Sequence, residues 1–116
     1  FERVVAAGAK SVFLVTRAAV ALMEPRPKPK IVNVVSALDT DEAVGDVLPA
    51  FSHQAVVGLT RSFAKCLPSN FRVNAVAVTS KKTPGAEEDS HDVARTILFL
   101  LSSESIGMSG QVLELQ

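Results

Sequence analysis

The sequence predicts an α/β domain of three layers, with a parallel sheet held between helices. Three observations carry that reading. The runs IVNVVS at 31–36, FRVNAVAV at 71–78 and QVLEL at 111–115 are short, apolar and rich in β-branched residues, as strands buried on both faces are. Each follows a stretch with apolar residues at helical spacing, over 1–24, 50–67 and about 90–101. The resulting αβαβαβ order calls for parallel strands joined by right-handed helical crossovers.

The first helix collects Phe1, Val4, Val5, Val12, Phe13, Val15, Ala19, Val20 and Met23 on a wide apolar face. Gly8 interrupts it, at a cost of about 1 kcal/mol relative to alanine. PRPKPK at 25–30 ends it, because proline lacks an N–H and blocks the preceding turn, and it reads as a stiff, solvated connector. After the first strand, Asp39, Asp41, Glu42 and Asp46 make an acidic loop without metal-ligand spacing. The second helix places Ala55, Val56, Leu59, Phe63 and Cys66 on one side, with Arg61, Ser62 and Lys65 mostly outside that stripe. Pro68-Ser69-Asn70 stops it. Following the second strand and a polar loop, Asp89 or Ser90 caps a helix bearing Val93, Ala94, Ile97, Leu98 and Leu101.

At 116 residues the chain is one domain, 1–116, and 47% apolar against 21% charged residues suits a packed core. Twelve basic and twelve acidic residues cancel, so no net field draws nucleic acid or anionic lipid. The single cysteine, Cys66, excludes an internal disulfide and reads as a packed thiol in a reducing compartment. No apolar run approaches the roughly 20 residues of a membrane span, and the N-terminus lacks a signal-peptide layout. The expectation is a soluble intracellular chain without membrane contact, cytoplasmic first and organelle matrix second. The missing initiator methionine leaves two readings, a processed chain or an ordered piece of a longer one.

Five segments taken together carry a family resemblance: FERVVAAGAKSVFLVTRAAVALM, IVNVVS, AVVGLTRSFAKCLPSNFRVNAVAV, DVARTILFLLSS and SGQVLEL. In content and order they resemble the C-terminal half of a short-chain dehydrogenase/reductase, nearest the 3-oxoacyl-carrier-protein reductase branch. The resemblance implies the second half of a Rossmann-like parallel sheet, with two long helices that commonly form a dimer interface. It also implies a catalytic set of Asn, Ser, Tyr and Lys. Tyrosine exchanges the carbonyl-side proton, the lysine cation lowers its pKa, serine positions the oxygen and asparagine anchors a water relay.

Carried onto this chain, three of those four positions are altered. Gly8 stands at the asparagine position, two residues before Lys10. Ser36 fills the serine position after Asn33-Val34-Val35. Thirteen residues on, Pro49 holds the tyrosine position, and His53 the lysine position. The chain contains no tyrosine at all. The family's nicotinamide-facing Pro-Gly pair is Val78-Thr79 here, although Thr83 remains where a pyrophosphate-contacting threonine is expected. The substrate-covering segment is reduced to PGAEEDSH, and no G-x-x-x-G-x-G fingerprint occurs.

The leading expectation is therefore a catalytically inactive reductase-like domain that works through protein contacts, with no cofactor of its own and no metal. The alternative is a fragment or subunit of an NADPH-dependent 3-oxoacyl-thioester reductase, with NADP(H) bound once a partner or a missing N-terminal half completes the site. A free-standing flavodoxin-like binding module is a third reading. Ser36 and His53, with Asp39, Asp41 or Asp46, could form a nucleophile and its base, yet there is no G-x-S-x-G elbow. His53 and His91 read as residues of helix starts. The 31–36 strand forms an open apolar edge that an added segment, domain or partner would cover, and the 1–24 and 50–67 helices suit a homodimer.

Overall fold

The structure, a computed structural model, describes residues 2–37, 47–79 and 86–115. The order of elements is α1 (Glu2–Val5), a π turn (Ala6–Lys10), α2 (Ser11–Met23), β1 (Lys30–Ala37), α3 (Val47–Cys66), β2 (Arg72–Thr79), α4 (Ala86–Leu101), a 3₁₀ turn (Ser103–Ser105) and β3 (Val112–Leu115). This is the expected αβαβαβ alternation. The sheet is parallel, in the order β1-β2-β3. Lys30 through Ala37 pair in register with Arg72 through Thr79, and Ala75 through Val78 with Val112 through Leu115.

The central strand is the most deeply buried part of the molecule: Val73, Ala75, Val76 and Ala77 have no exposed surface. Asn33 Nδ2 donates to Thr60 Oγ1 at 3.1 Å, and Thr60 Oγ1 donates to Val56 O at 2.8 Å. That chain of bonds fixes the side of β1 and β2 on which α3 lies. By the pleat, Val73, Ala75 and Ala77 share the Asn33 face, and their small side chains admit a close helix. Val76 falls on the other face, where α4 packs through the fully buried Leu100.

Asn74 closes the sheet onto β3. It is 1% exposed, donates from Nδ2 to Met108 O at 3.0 Å, and accepts from Gln111 N at 3.1 Å through Oδ1. Gly110 N donates to Val73 O at 2.6 Å, and Ser109 Oγ accepts from Val73 N at 3.1 Å. Gly110 needs to be glycine: its φ is +76°, and a Cβ there would stand 3.3 Å from Ala64 Cβ. Arg72 pins the start of β2, donating from Nε to Ile106 O and from Nη1 to Ser69 O at 2.6 Å.

Several expectations are corrected. The second helix starts at Val47 rather than residue 50, because a proline in the first turn sacrifices no intrahelical bond and Pro49 is compatible with it. Its sheet-facing side is Val56, Val57 and Thr60, and Cys66 is an exposed free thiol rather than a packed one. On α4 the buried line runs through Leu100, leaving Leu98 66% and Leu101 46% exposed. In the connector, residues 25–28 are exposed, Pro29 is buried and accepts Arg72 N at 3.0 Å, and Lys30 already belongs to β1.

The first helix also departs from its reading. It packs mainly on α3, with the Phe13 and Phe63 rings 5.9 Å apart and Arg17 over the Phe13 ring at 5.6 Å. Ala6–Met23 reaches 18 residues with a mean hydropathy of 1.4 and is only 6% buried, so one helix has the length and composition to cross a membrane. The sequence alone leads one to expect no run near that length. Core helices of soluble proteins and signal sequences share the same length and composition. Leu14, Val15 and Leu22 leave apolar surface exposed on this helix.

Candidate functional site

The carboxyl ends of parallel strands are where α/β folds build their sites, because the strand-to-helix loops converge there. Ser36 occupies that end of β1, paired in register with Val78 of β2. Pro49 lies in the first turn of α3 and the half-buried His53 lies one turn on. Their four-residue spacing stacks both positions on one face of the helix.

Gly8 is brought to the same turn. It sits at the middle of the π turn, a single wide helical turn of the kind that recurs at functional sites. A Cβ built on Gly8 would run into Ser52 Oγ, while Ser52 Cβ would be 3.7 Å away. The asparagine position and the residue beside the lysine position therefore lie side by side, and a side chain at position 8 would have to displace the Ser52 hydroxyl.

Three of the four implied positions thus gather around the start of α3, and Ser36 stands at the neighbouring strand end. What they lack is a matching set of side chains. Proline has no ionisable proton, glycine has no side-chain amide, and no tyrosine exists elsewhere in the chain. Thr83 and the acidic residues Asp39, Asp41, Glu42 and Asp46 lie outside the described residues. His91 is exposed on α4, next to Asp92, whose carboxylate meets Arg95 at 3.4 Å in a solvent-exposed pair that adds little. Among the described residues no cluster of metal-ligating side chains forms.

The described glycines do not fit a dinucleotide. Gly8 lies in a helical turn, Gly58 within α3, and Gly107 and Gly110 ahead of β3. None opens a strand-to-helix turn, so among the described residues no backbone cradle meets a pyrophosphate. Sequence reasoning missed Ser52, Thr60 and Asn74. Ser52 occupies the space beside Gly8, Thr60 ties α3 to β1 through Asn33, and Asn74 fixes the turn before β3 at the other end of the sheet. Their signals were polar residues within apolar runs, which acquire meaning only through a partner 27 or more residues away.

The short chain dehydrogenase family model matches residues 1–94. The 3-oxoacyl-[acyl-carrier-protein] reductase FabG of Thermotoga maritima is 33% identical over 133 residues, covering 97% of this chain and 54% of the relative. The short-chain dehydrogenase/reductase homolog YusR of Bacillus subtilis is 32% identical over 122 residues, covering 90% of this chain and 93% of the relative. Among solved structures, an oxidoreductase of the same family from Brucella ovis, in complex with a partially ordered NAD, superposes with a TM-score of 0.67. It is 27% identical and covers 90% of this chain and 47% of that one. The chain spans about half the length of most curated relatives it matches, while YusR is of similar span. By sequence and by fold, the chain belongs to the short-chain dehydrogenase/reductase family.

Proposed function

We propose that this chain is a catalytically inactive member of its family that acts as a structural or protein-interaction element. The observation that carries the reading is the pairing of Pro49 with His53, in a chain without any tyrosine. The two positions stay one turn apart on α3, but Pro49 supplies no phenol and His53 no lysine cation, so the proton donor and the charge that tunes it are both replaced. The crowding of Gly8 by Ser52 supports the same reading, since it occupies the place of the water-holding amide.

The rest of the surface suits a role in contacts. β1 is an edge strand of the described sheet, with Val34 53% exposed, and apolar edges of parallel sheets call for a cover. That cover is a further segment of the protein or a partner chain. Phe13, Ala55 and Leu59 line an apolar groove of about 500 Å³ between the first helix and α3, which suits association of two copies. The proposed setting is a soluble one, with the exposed Cys66 thiol kept reduced.

A second reading rests on the similarity to the 3-oxoacyl-[acyl-carrier-protein] reductase, which extends over 97% of this chain. In it the chain is one part of an NADPH-dependent ketoacyl reductase whose cofactor site lies elsewhere. Titration with NADPH, followed by nucleotide fluorescence and by turnover of an acetoacetyl thioester, separates the two. The inactive reading expects neither binding nor reduction. Micromolar affinity would overturn it.

A further inference from the structure

At the other end of the sheet from Ser36 and Pro49, the last turns of α3 and the turn entering β3 enclose a cleft of about 430 Å³. It is placed there by Val73, the second residue of β2, whose backbone bonds both Ser109 and Gly110. The lining is Arg61, Ser62, Ala64, Lys65, Ser109 and Gly110. We propose that this cleft, with Arg61 and Lys65 facing the Ser109–Gly110 turn, binds a phosphate monoester.

The donor set is the first argument. No carboxylate lines the cleft, and among the described residues neither Arg61 nor Lys65 takes part in an ion pair. The two cations stand four residues apart on α3, a spacing at which like charges repel and a bound anion relieves both. Arg61 offers a planar fork to two oxygens, and Lys65 a point charge to a third. Ser109 Oγ already accepts from Val73 N, so its own proton is free to donate into the cleft, and Ser62 supplies a second hydroxyl. A carboxylate is satisfied by the arginine fork alone, whereas two cations and two hydroxyls match the oxygens of a phosphate dianion.

The shape is the second argument. Gly110 brings its backbone so close to Ala64 that a Cβ would be 3.3 Å from the alanine methyl, so position 110 itself adds no side chain to the cleft. The Asn74 bonds to Met108 and Gln111 hold the turn in place, so the wall is preformed. The site is independent of whether the chain reduces anything, since none of its residues lies near the start of α3.

The test is an NMR titration of the folded chain with glycerol 3-phosphate, representing a small metabolite, and with N-acetyl-phosphoserine amide, representing a modified protein. Saturable shifts are expected at the amides of Ser62, Lys65, Ser109 and Gly110, and the tighter probe identifies the source. Arg61→Ala and Lys65→Ala should each weaken binding about tenfold, as loss of a charge-assisted bond does. Ser36→Ala should leave binding unchanged. An absence of saturable shifts would overturn the proposal, as would an equal response to acetate at matched ionic strength. So would unchanged affinity in the doubly substituted chain.

Discussion

Gly8→Ala and Ser52→Ala, made singly and together, form a cycle whose signs follow from one contact. In an unobstructed helix, replacing glycine by alanine stabilises by about 1 kcal/mol, because alanine loses less backbone freedom on folding. At Gly8 the new methyl would overlap Ser52 Oγ, and overpacking of that kind costs about 1–3 kcal/mol. The net expectation for Gly8→Ala alone is destabilisation of about 1 kcal/mol. Ser52→Ala removes the oxygen and leaves its Cβ 3.7 Å from the added methyl, an ordinary van der Waals contact. On that background the helix propensity is recovered, and the same Gly8→Ala change should stabilise by about 1 kcal/mol. The coupling energy is then about 2 kcal/mol, well above the few tenths found between independent sites. In urea, with a slope near 1 kcal/mol/M for a chain of this size, the midpoint should fall by about 1 M for Gly8→Ala and rise by about 1 M when Ser52 is already alanine. A higher midpoint for Gly8→Ala alone, or a cycle without coupling, would show that Ser52 rotates aside freely. The contact would then not explain why the amide position is empty.

Three further outcomes are expected. Pro49→Tyr combined with His53→Lys should not yield reduction of an acetoacetyl thioester with NADPH in a coupled absorbance assay, since Gly8 stays crowded and the described glycines make no pyrophosphate cradle; measurable turnover would refute that. Gly110→Ala should destabilise by about 1–3 kcal/mol, because the residue has φ +76° and lies against Ala64, and the melting temperature should fall by several degrees. Asn74→Ala leaves Met108 O and Gln111 N without their side-chain partner beneath a buried strand, at a cost of about 2–4 kcal/mol. Hydrogen exchange should then quicken at Gly110 and Gln111 well before Val56 in α3, and uniform exchange across the chain would contradict the assignment.

The strands were nearly complete in the sequence: 31–36 became Lys30–Ala37 and 71–78 became Arg72–Thr79. Continuous β-branched runs bounded by proline and polar residues leave little choice, and burial on both faces makes such runs distinctive. Helix faces were less legible. A stripe drawn through Cys66 and Leu98 was wrong by about one position, because the sheet meets α3 at Val56, Val57 and Thr60 and α4 at Leu100. Periodicity specifies that a face exists, but which residues touch the sheet depends on how the helix rolls against small strand residues such as Ala75 and Ala77. The π turn at Ala6–Lys10 had one trace in the sequence, the glycine at its centre.

For the candidate site, the substitutions at Gly8, Pro49 and His53 were legible because the surrounding segments set the register. Their consequence was not. The contact that fills the asparagine position, and the meeting of Arg61 and Lys65 with Ser109 some 44 residues on, exist only once α3 is laid on the sheet. The sequence by itself determined the family, the parallel α/β order and the absence of a phenol at the catalytic turn, because residue type and short spacing are local properties. The tertiary structure alone decided what occupies the vacant amide position, where the cations face and which apolar surfaces stay uncovered. Each of those depends on distances between segments far apart in the chain, and close packing rather than pattern sets such distances.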